Sequence, residues 1–475
     1  MTAGSNLADD RTILAVDLGT QSLRVSAITT ASRRLWHWQQ PVTSFIDGEA
    51  NEQDPAEWAS LIDRALAEAA SAGIRPDAVA AAGPLAGWVP LDADGQALAR
   101  ATMYFDGRTA PDTQLVASAL HDRPAAPRPT IADPLPQLLR LQREQPSWLP
   151  RLHVLLDATG WLVHRLTGHS TLDAFTAIRL YDREVVARLG IDLARFGRGV
   201  AVGENVAPLS PQYASLFGNP RIPVIAATFD SKCAYLASGI EQDGEALDIS
   251  GTVTSFGVAS TRQVIDPARR IYSVPLGDRW LVRGSMGGTG SVLEWARATV
   301  LGNDFRAIEA DVAAVPPGAH GVTFLPFHSG ARAPLWNPHV RGAFLGLSLD
   351  TGRPAMARAV YEGLVYGLRH IVDTMAEAGV VVADIRLAGG LARSDLLSRM
   401  KADILGRPVI RLVDYELTTL GLVVIASVGL GAFPTRGEAS AALVGRAGRI
   451  EPSALHDAYD EPYRRYLKSA ALLGS

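Results

Sequence analysis

Apolar and polar residues alternate from Thr12 to Thr29 as ILAVD, a tight LGT and then SLRVSAIT, which predicts strand, turn and strand. Residues 55–72 (PAEWASLIDRALAEAASA) instead set apolar side chains at helical spacing behind Pro55, predicting a helix with proline in its first turn. An all-apolar strand follows at Ala78–Ala82 and closes on a glycine-bearing turn. Prolines crowd residues 121–136, and residues 148–190 read as mostly helical. A further strand, IPVIAA, leads to Asp230, and SKCAYLASG continues as a short helix. Later, DIRLAGG reads as a strand and Ser394 as the N-cap of a helix with Leu396, Leu397, Met400, Ile404 and Leu405 on one side. Gly406 ends that helix and PVIRLV is the next strand, which makes a βαβ unit.

One stretch is echoed. Val16-Asp17-Leu18-Gly19-Thr20-Gln21-Ser22 lines up with Asp248-Ile249-Ser250-Gly251-Thr252-Val253-Thr254, an offset of 232 residues in a chain of 475. Both copies sit between apolar strands and read x-G-T-x-[ST]. The echo implies two related lobes, each opening with a β-turn-β element and facing the other across a cleft. The polar GIEQDGE run at Gly239–Glu245 is the natural boundary, giving lobes 1–242 and 243–475.

Composition narrows the class. The length suits two or three domains, and 47% hydrophobic residues supply proper cores without disulfides. A lone Cys233 excludes a disulfide framework and fits a small buried hydrophobe. A net charge of −4 argues against nucleic acid and anionic membranes as partners. Lys232, Lys401 and Lys468 are the only lysines, so fixed cationic contacts fall to arginine. The N-terminal MTAGSNLADDR lacks a signal-peptide pattern, and the longest apolar stretch, Leu420 to Phe433, is too short to span a bilayer; a cytoplasmic α/β protein is expected.

The turns carry the chemistry. At Gly19-Thr20 and Gly251-Thr252 a glycine lets backbone N–H groups approach a phosphate, and the threonine hydroxyl adds a donor; the plainer reading of each is a hairpin turn. Gly389-Gly390, before a helix N-terminus, is a third such place. Neither a P-loop nor a G-x-G-x-x-G motif is present. Asp17 ends the first strand, where a carboxylate beside a polyphosphate needs a hydrated Mg²⁺ between them; the second copy has Ile249 there. Arg24, on the following strand, suits phosphate oxygens or a carboxylate. Asp230 stands at a strand end before a helix, as a base for an attacking hydroxyl or as a simple N-cap. The ten histidines show no metal-ligand spacing; His328 reads as a solvated loop residue and Gly363 as a close-packing point on a long helix.

Taken together, NEQDPAEWAS, YFDGRT, LLDATGWLVHRLTG, ATFDSKCAYLASG, DISGTVTSFGV, FLPFHSGARAPLWNP, RGAFLGLS, ARAVYEGLVYGL and LAGGLARSDLLSRMKADILGRPV resemble the FGGY family of carbohydrate kinases in order and spacing along the whole chain. That resemblance implies a two-lobed α/β protein of the actin-like ATPase, ribonuclease H-like fold, with ATP and sugar in the interlobe cleft. It assigns Asp17, Gly19, Thr20 and Gln21 to the first phosphate turn, with Asp17 near Mg²⁺ and Arg24 at the family's basic position. Gly251 and Thr252 fall in the second phosphate turn; Gly389, Gly390, Ala392 and Ser394 in the adenosine-binding turn and helix start; Leu420-Gly421 in another nucleotide-side segment; and Asp230 matches the catalytic base.

The substrate end departs from the family. Xylulokinase-like members carry Met-His after a glycine, and glycerol kinases Arg-Glu, where this chain has Leu85 and Ala86 in Gly83-Pro84-Leu85-Ala86-Gly87-Trp88. Losing one sugar hydrogen bond shifts discrimination by about 1–3 kcal/mol. Ser231 replaces the usual Asn beside the base, and Trp88, Tyr104, Asp106 and Phe175 are the candidate replacement contacts. The expected acceptor is a pentulose such as xylulose, with glycerol, erythritol, ribulose and deoxy-ketohexoses as alternatives. An actin- or chaperone-type ATPase is the alternative from another class. Whether the chain forms a homodimer is left open.

Overall fold

The computed structural model describes residues 10–123, 126, 128–277, 279–302, 304–413 and 416–474. The chain forms two compact units: residues up to Gly239 with Glu416–Val444, and Ile240–Tyr415 with the chain from Gly445 onward. The first crossing lies near the expected boundary, but the second lobe is not the uninterrupted 243–475. Helix Leu417–Gly429, apolar on every side, packs on helix Asp230–Ala237 and on strands Thr12–Leu18 and Ala78–Ala82 of the first unit. An all-round apolar helix needs burial on every side, which explains the return.

In the first unit, a six-stranded sheet runs Asn205–Pro208, Pro223–Ile225, Ala78–Ala82, Thr12–Leu18, Ser22–Thr29, Arg34–Pro41. Thr12–Leu18 pairs antiparallel with Ser22–Thr29, Asp17 opposite Arg24, and parallel with Ala78–Ala82. Both central strands are buried, as their unbroken apolar runs require. Trp58, Leu61 and Ile62 from helix Pro55–Ser71 fill the core beside Val16 and Leu23. A five-stranded sheet of Ser44–Asp47, Ala50–Gln53, Ala101–Met103, Ala86–Leu91 and Val154–Leu156 carries Ala86 and Trp88, with Leu85, Tyr104 and Asp106 in the segments that adjoin its strands.

In the second unit, a seven-stranded sheet runs Tyr272–Leu276, Arg279–Met286, Thr254–Ser260, Glu245–Ser250, Asp384–Ala388, Val409–Leu412, Arg446–Ile450. Apart from its extra edge strand, it repeats the order and the parallel or antiparallel sense of the first sheet, neighbour by neighbour. The echo is therefore structural, with Asp17 opposite Ala82 where Ile249 is opposite Ala388. The βαβ unit forms as expected: Ser394 accepts from the Leu397 amide, and Gly406 closes helix Asp395–Leu405 in a left-handed conformation. A Cβ at Gly363, on helix Arg353–Glu377, would overlap the carbonyl oxygen of Phe324, so it is a close-packing glycine.

Residues 148–190 hold more strand than expected. Val154–Leu156 and Thr171–Asp173 flank helix Ala158–Thr167, with short helices at Ala174–Ala177 and Arg183–Arg188. Strands of three residues, VLL and TLD, are too short for their period to separate strand from helix.

Candidate active site

Asp17, at the end of its strand, is buried to 3% exposure, and its nearest cation is Arg24, 3.4 Å from Oδ2. Burial pushes its carboxyl up to about 7; Arg24 opposes the rise and the negative charge of Asp230 adds to it. Arg24 thus serves the carboxylate of its own hairpin. The amide of Gly19 closes the turn onto the Ser22 carbonyl, while those of Thr20 and Gln21 find no partner among the described residues. Gln53 donates to the Thr20 carbonyl at 2.8 Å, fixing the turn from outside.

Asp230 opens helix Asp230–Ala237, but Phe229 is the N-cap. Its backbone is pinned on both sides: the amide donates to the Gly83 carbonyl at 2.9 Å, and the carbonyl accepts from the Thr418 hydroxyl at 3.3 Å. Oδ1 accepts from the Ser231 amide at 2.5 Å, and a carboxylate in a first helical turn is favoured by the helix dipole. Gly83 is pressed onto helix Ala158–Thr167: a Cβ would lie 2.5 Å from that of Ala158, and its amide donates to the Thr159 hydroxyl at 3.0 Å. The preceding strand ends at Ile225, so Asp230 stands at a helix start rather than at a strand end, and its backbone is tied through Gly83 to helix Ala158–Thr167. Glu416, which no local motif marks, also raises the Asp17 carboxyl, and Arg34 pairs with Glu416 at 2.8 Å.

Several expected sugar contacts need correction. The Asp106 carboxylate is fully buried and taken by Arg108 and by the Asn51 amide, so it offers no free oxygen. Trp88 is 1% exposed, with its indole N–H on the Ala132 carbonyl at 2.8 Å, and belongs to the core. Ala86 is buried and Leu85 is exposed on the same turn. Tyr104 packs on Phe105 in a tilted ring pair, with centroids 3.8 Å apart, and Ser231 is half-buried next to Asp230. Phe175 is buried, its amide held by Asp173, and the Lys232 ammonium lies 4.9 Å from its ring centroid. Asp173 also accepts from the Thr228 hydroxyl at 2.9 Å, two residues before Asp230. Burial, and for Asp157 the neighbouring charge of Asp173, holds both carboxyls above the ordinary range.

In the second unit, the Gly251-Thr252 turn rests against a helix start. The Thr289 amide donates to the Thr252 carbonyl at 3.0 Å and the Gly290 amide to the Gly251 carbonyl at 2.9 Å. A Cβ on Gly290 would lie 2.6 Å from that carbonyl oxygen, and one on Gly389 would lie 2.5 Å from the Ser250 oxygen. Three glycine-bearing segments therefore converge on one spot, with Gly390 exposed. The run Gly287-Gly288-Thr289-Gly290-Ser291, a glycine-rich stretch before a helix, was the missed signal. Ser394 spends its hydroxyl on the helix cap and on Glu309, and Ala392 is buried, so neither side chain is free for a nucleotide. Gly421 is a helix-packing residue of the first unit, where a Cβ would overlap the Cys233 carbonyl. His328 is half-buried against the Trp295 ring, centroids 4.2 Å apart, rather than solvated.

Residues 12–237 match the N-terminal domain of the FGGY family of carbohydrate kinases, and residues 247–430 match its C-terminal domain. The chain belongs to this family. As such it is an ATP-dependent carbohydrate kinase acting on a small-molecule sugar, with the two-domain actin-like ATPase fold. It is 27% identical to the xylulose kinase of Escherichia coli over 83% of this chain and 85% of that one. The gluconokinase of Bacillus subtilis is 30% identical over 53% of this chain and 52% of its own. The fold is shared with the ligand-bound xylulose kinase of Lactobacillus acidophilus at a TM-score of 0.91 and 19% identity, covering 98% of both chains. Among the described residues, no helix is long and apolar enough to cross a membrane.

Proposed function

We propose that this kinase phosphorylates a terminal hydroxyl of a small ketose or polyol, a pentulose such as xylulose first, with Asp230 as the base. What supports this most is Asp230 itself: a half-exposed carboxylate whose backbone is fixed through Gly83 and Thr418, with Asp17 close enough to be raised by its charge. Asp230 orients the hydroxyl and takes its proton as the oxygen attacks the γ-phosphorus; the proton leaves on the carboxylate and ADP departs. The Gly-Thr turns supply amides for phosphate oxygens.

Two carboxylates held together against burial, offset by one arginine at 3.4 Å, suit a divalent cation. No cluster of three acidic, His or Cys groups able to hold a metal occurs among the described residues. Asp17 would therefore hold Mg²⁺ largely through water and nucleotide oxygens, as that ion prefers; when bound, the ion would offset charge on the phosphates. We place the enzyme in the cytoplasm.

The names of the relatives favour xylulose, while Leu85 and Ala86 remove the polar pair that xylulokinase-like members carry. A coupled ADP-release assay over ketoses, polyols and gluconate decides. The highest kcat/KM is expected for a pentulose; a higher value for gluconate, glycerol or erythritol would replace it as substrate.

A further inference from the structure

A row of buried polar side chains lies beneath the Gly251-Thr252 turn, and the chemistry above does not use it. Asp248 is fully buried, and the Lys401 ammonium, itself buried, lies 2.6 Å from its Oδ2. Lys401 comes from helix Asp395–Leu405 and also donates to the Ser250 hydroxyl at 3.0 Å. Ser250 donates to Asp248 Oδ1 at 2.7 Å. A hydroxyl has one proton to give. With Ser250's spent on Asp248, the 3.1 Å contact between Ser250 and Thr254 is donated by Thr254. The 2.8 Å contact between Thr254 and Thr289 is then donated by Thr289. The row runs one way, from Thr289 through Thr254 and Ser250 to a carboxylate that Lys401 neutralises.

Its outer end is the helix start that grips the turn: Thr289 and Gly290 hold the Thr252 and Gly251 carbonyls, and the Ser291 hydroxyl adds a bond to Thr252 at 3.1 Å. Drawing both carbonyls into the helix start turns them away from any anion at the turn. An ion pair buried this deeply is weak evidence of a stability role, because apolar replacements of similar volume are often neutral or stabilising. The first hairpin fills the matching place with a buried Val16.

We propose that Lys401 is a positioning residue for nucleotide binding, acting through Asp248 and the Ser250-Thr254-Thr289 row to hold the Gly251-Thr252 turn in its phosphate-binding form. This rests on the reading that the turn binds nucleotide phosphate.

Three variants of the full chain test it, with ADP affinity measured by calorimetry and KM and kcat measured separately. Thr254→Val cuts the row but leaves the ion pair; Asp248→Val with Lys401→Met removes the pair and copies the first hairpin. Each folded variant is expected to bind ADP about tenfold more weakly, the loss of roughly one hydrogen bond, with KM for ATP raised and kcat and KM for the sugar retained. Should the double variant not fold, Thr254→Val carries the test. Unchanged ADP affinity in folded Thr254→Val overturns the proposal. Gly251→Asp, which has open space for its side chain, separates the two readings. If it abolishes ADP binding while Thr254→Val does not weaken it, only the positioning role falls. If Gly251→Asp binds ADP normally, the phosphate-turn reading falls, and the proposal with it.

Discussion

The hairpins Thr12–Thr29 and Glu245–Ser260 share strand order, pairing and a three-residue turn, yet each places its acid differently. In the first, the core position is Val16 and the acid is Asp17, raised by burial and by Asp230. In the second, the acid is Asp248, one place earlier, where Lys401 locks it, and Ile249 stands where Asp17 would be. Side chains alternate faces along a strand, so a shift of one residue sends the charge to the opposite side of the sheet. Repeated backbone with displaced charge lets one fold element serve two tasks. On the proposed reading, the first hairpin serves the reacting carboxylates and the second holds phosphate.

Equal substitutions on the two hairpins should therefore have unequal effects. Asp17→Asn is expected to lower kcat by about 100-fold, the scale of losing metal-assisted charge stabilisation, with activity partly restored by high Mg²⁺. Asp248→Asn should leave kcat within about threefold at saturating ATP and raise KM for ATP instead. Steady-state kinetics with matching profiles for both variants would break the comparison.

A smaller contrast concerns two packing glycines. Ala at Gly421 or Gly363 forces a Cβ into a backbone carbonyl, at about 1–3 kcal/mol of stability each. Only Gly421 presses on the helix that carries Asp230, so Gly421→Ala should lower both melting temperature and kcat, and Gly363→Ala the melting temperature alone.

The smallest effect is a pH dependence. Asp17 titrates near 7 in the fold against 3.8 in the unfolded chain, so the native state holds a proton that the unfolded state has released. Its contribution makes stability fall as pH rises from about 4 to about 7, and level off above. Asp17→Asn should cancel that decline, so its melting temperature without nucleotide gains about a few degrees on the parent between pH 5 and pH 8. A constant difference across that range would sink the assignment.

Local signals carried far. Alternation located both hairpins, capping residues bounded helix Asp395–Leu405, and the x-G-T-x-[ST] pattern exposed the repeat. Partnership over long separations did not show. Lys401 reaches Asp248 across 153 residues, Glu416 reaches the Asp17 neighbourhood by way of a returning segment, and the Trp88 indole finds the Ala132 carbonyl. Asp106 shows the reverse: an acid in a promising motif whose oxygens go to Arg108, two residues on. A residue type shows that a charge exists; only the fold shows what has already claimed it.

The most direct test of the central claim is Asp230→Asn, assayed for ADP release with and without the preferred sugar alongside ADP affinity. The account predicts a folded variant that binds nucleotide like the parent and has lost sugar-dependent ADP release by about 100-fold or more. Sugar-dependent turnover near that of the parent would contradict it.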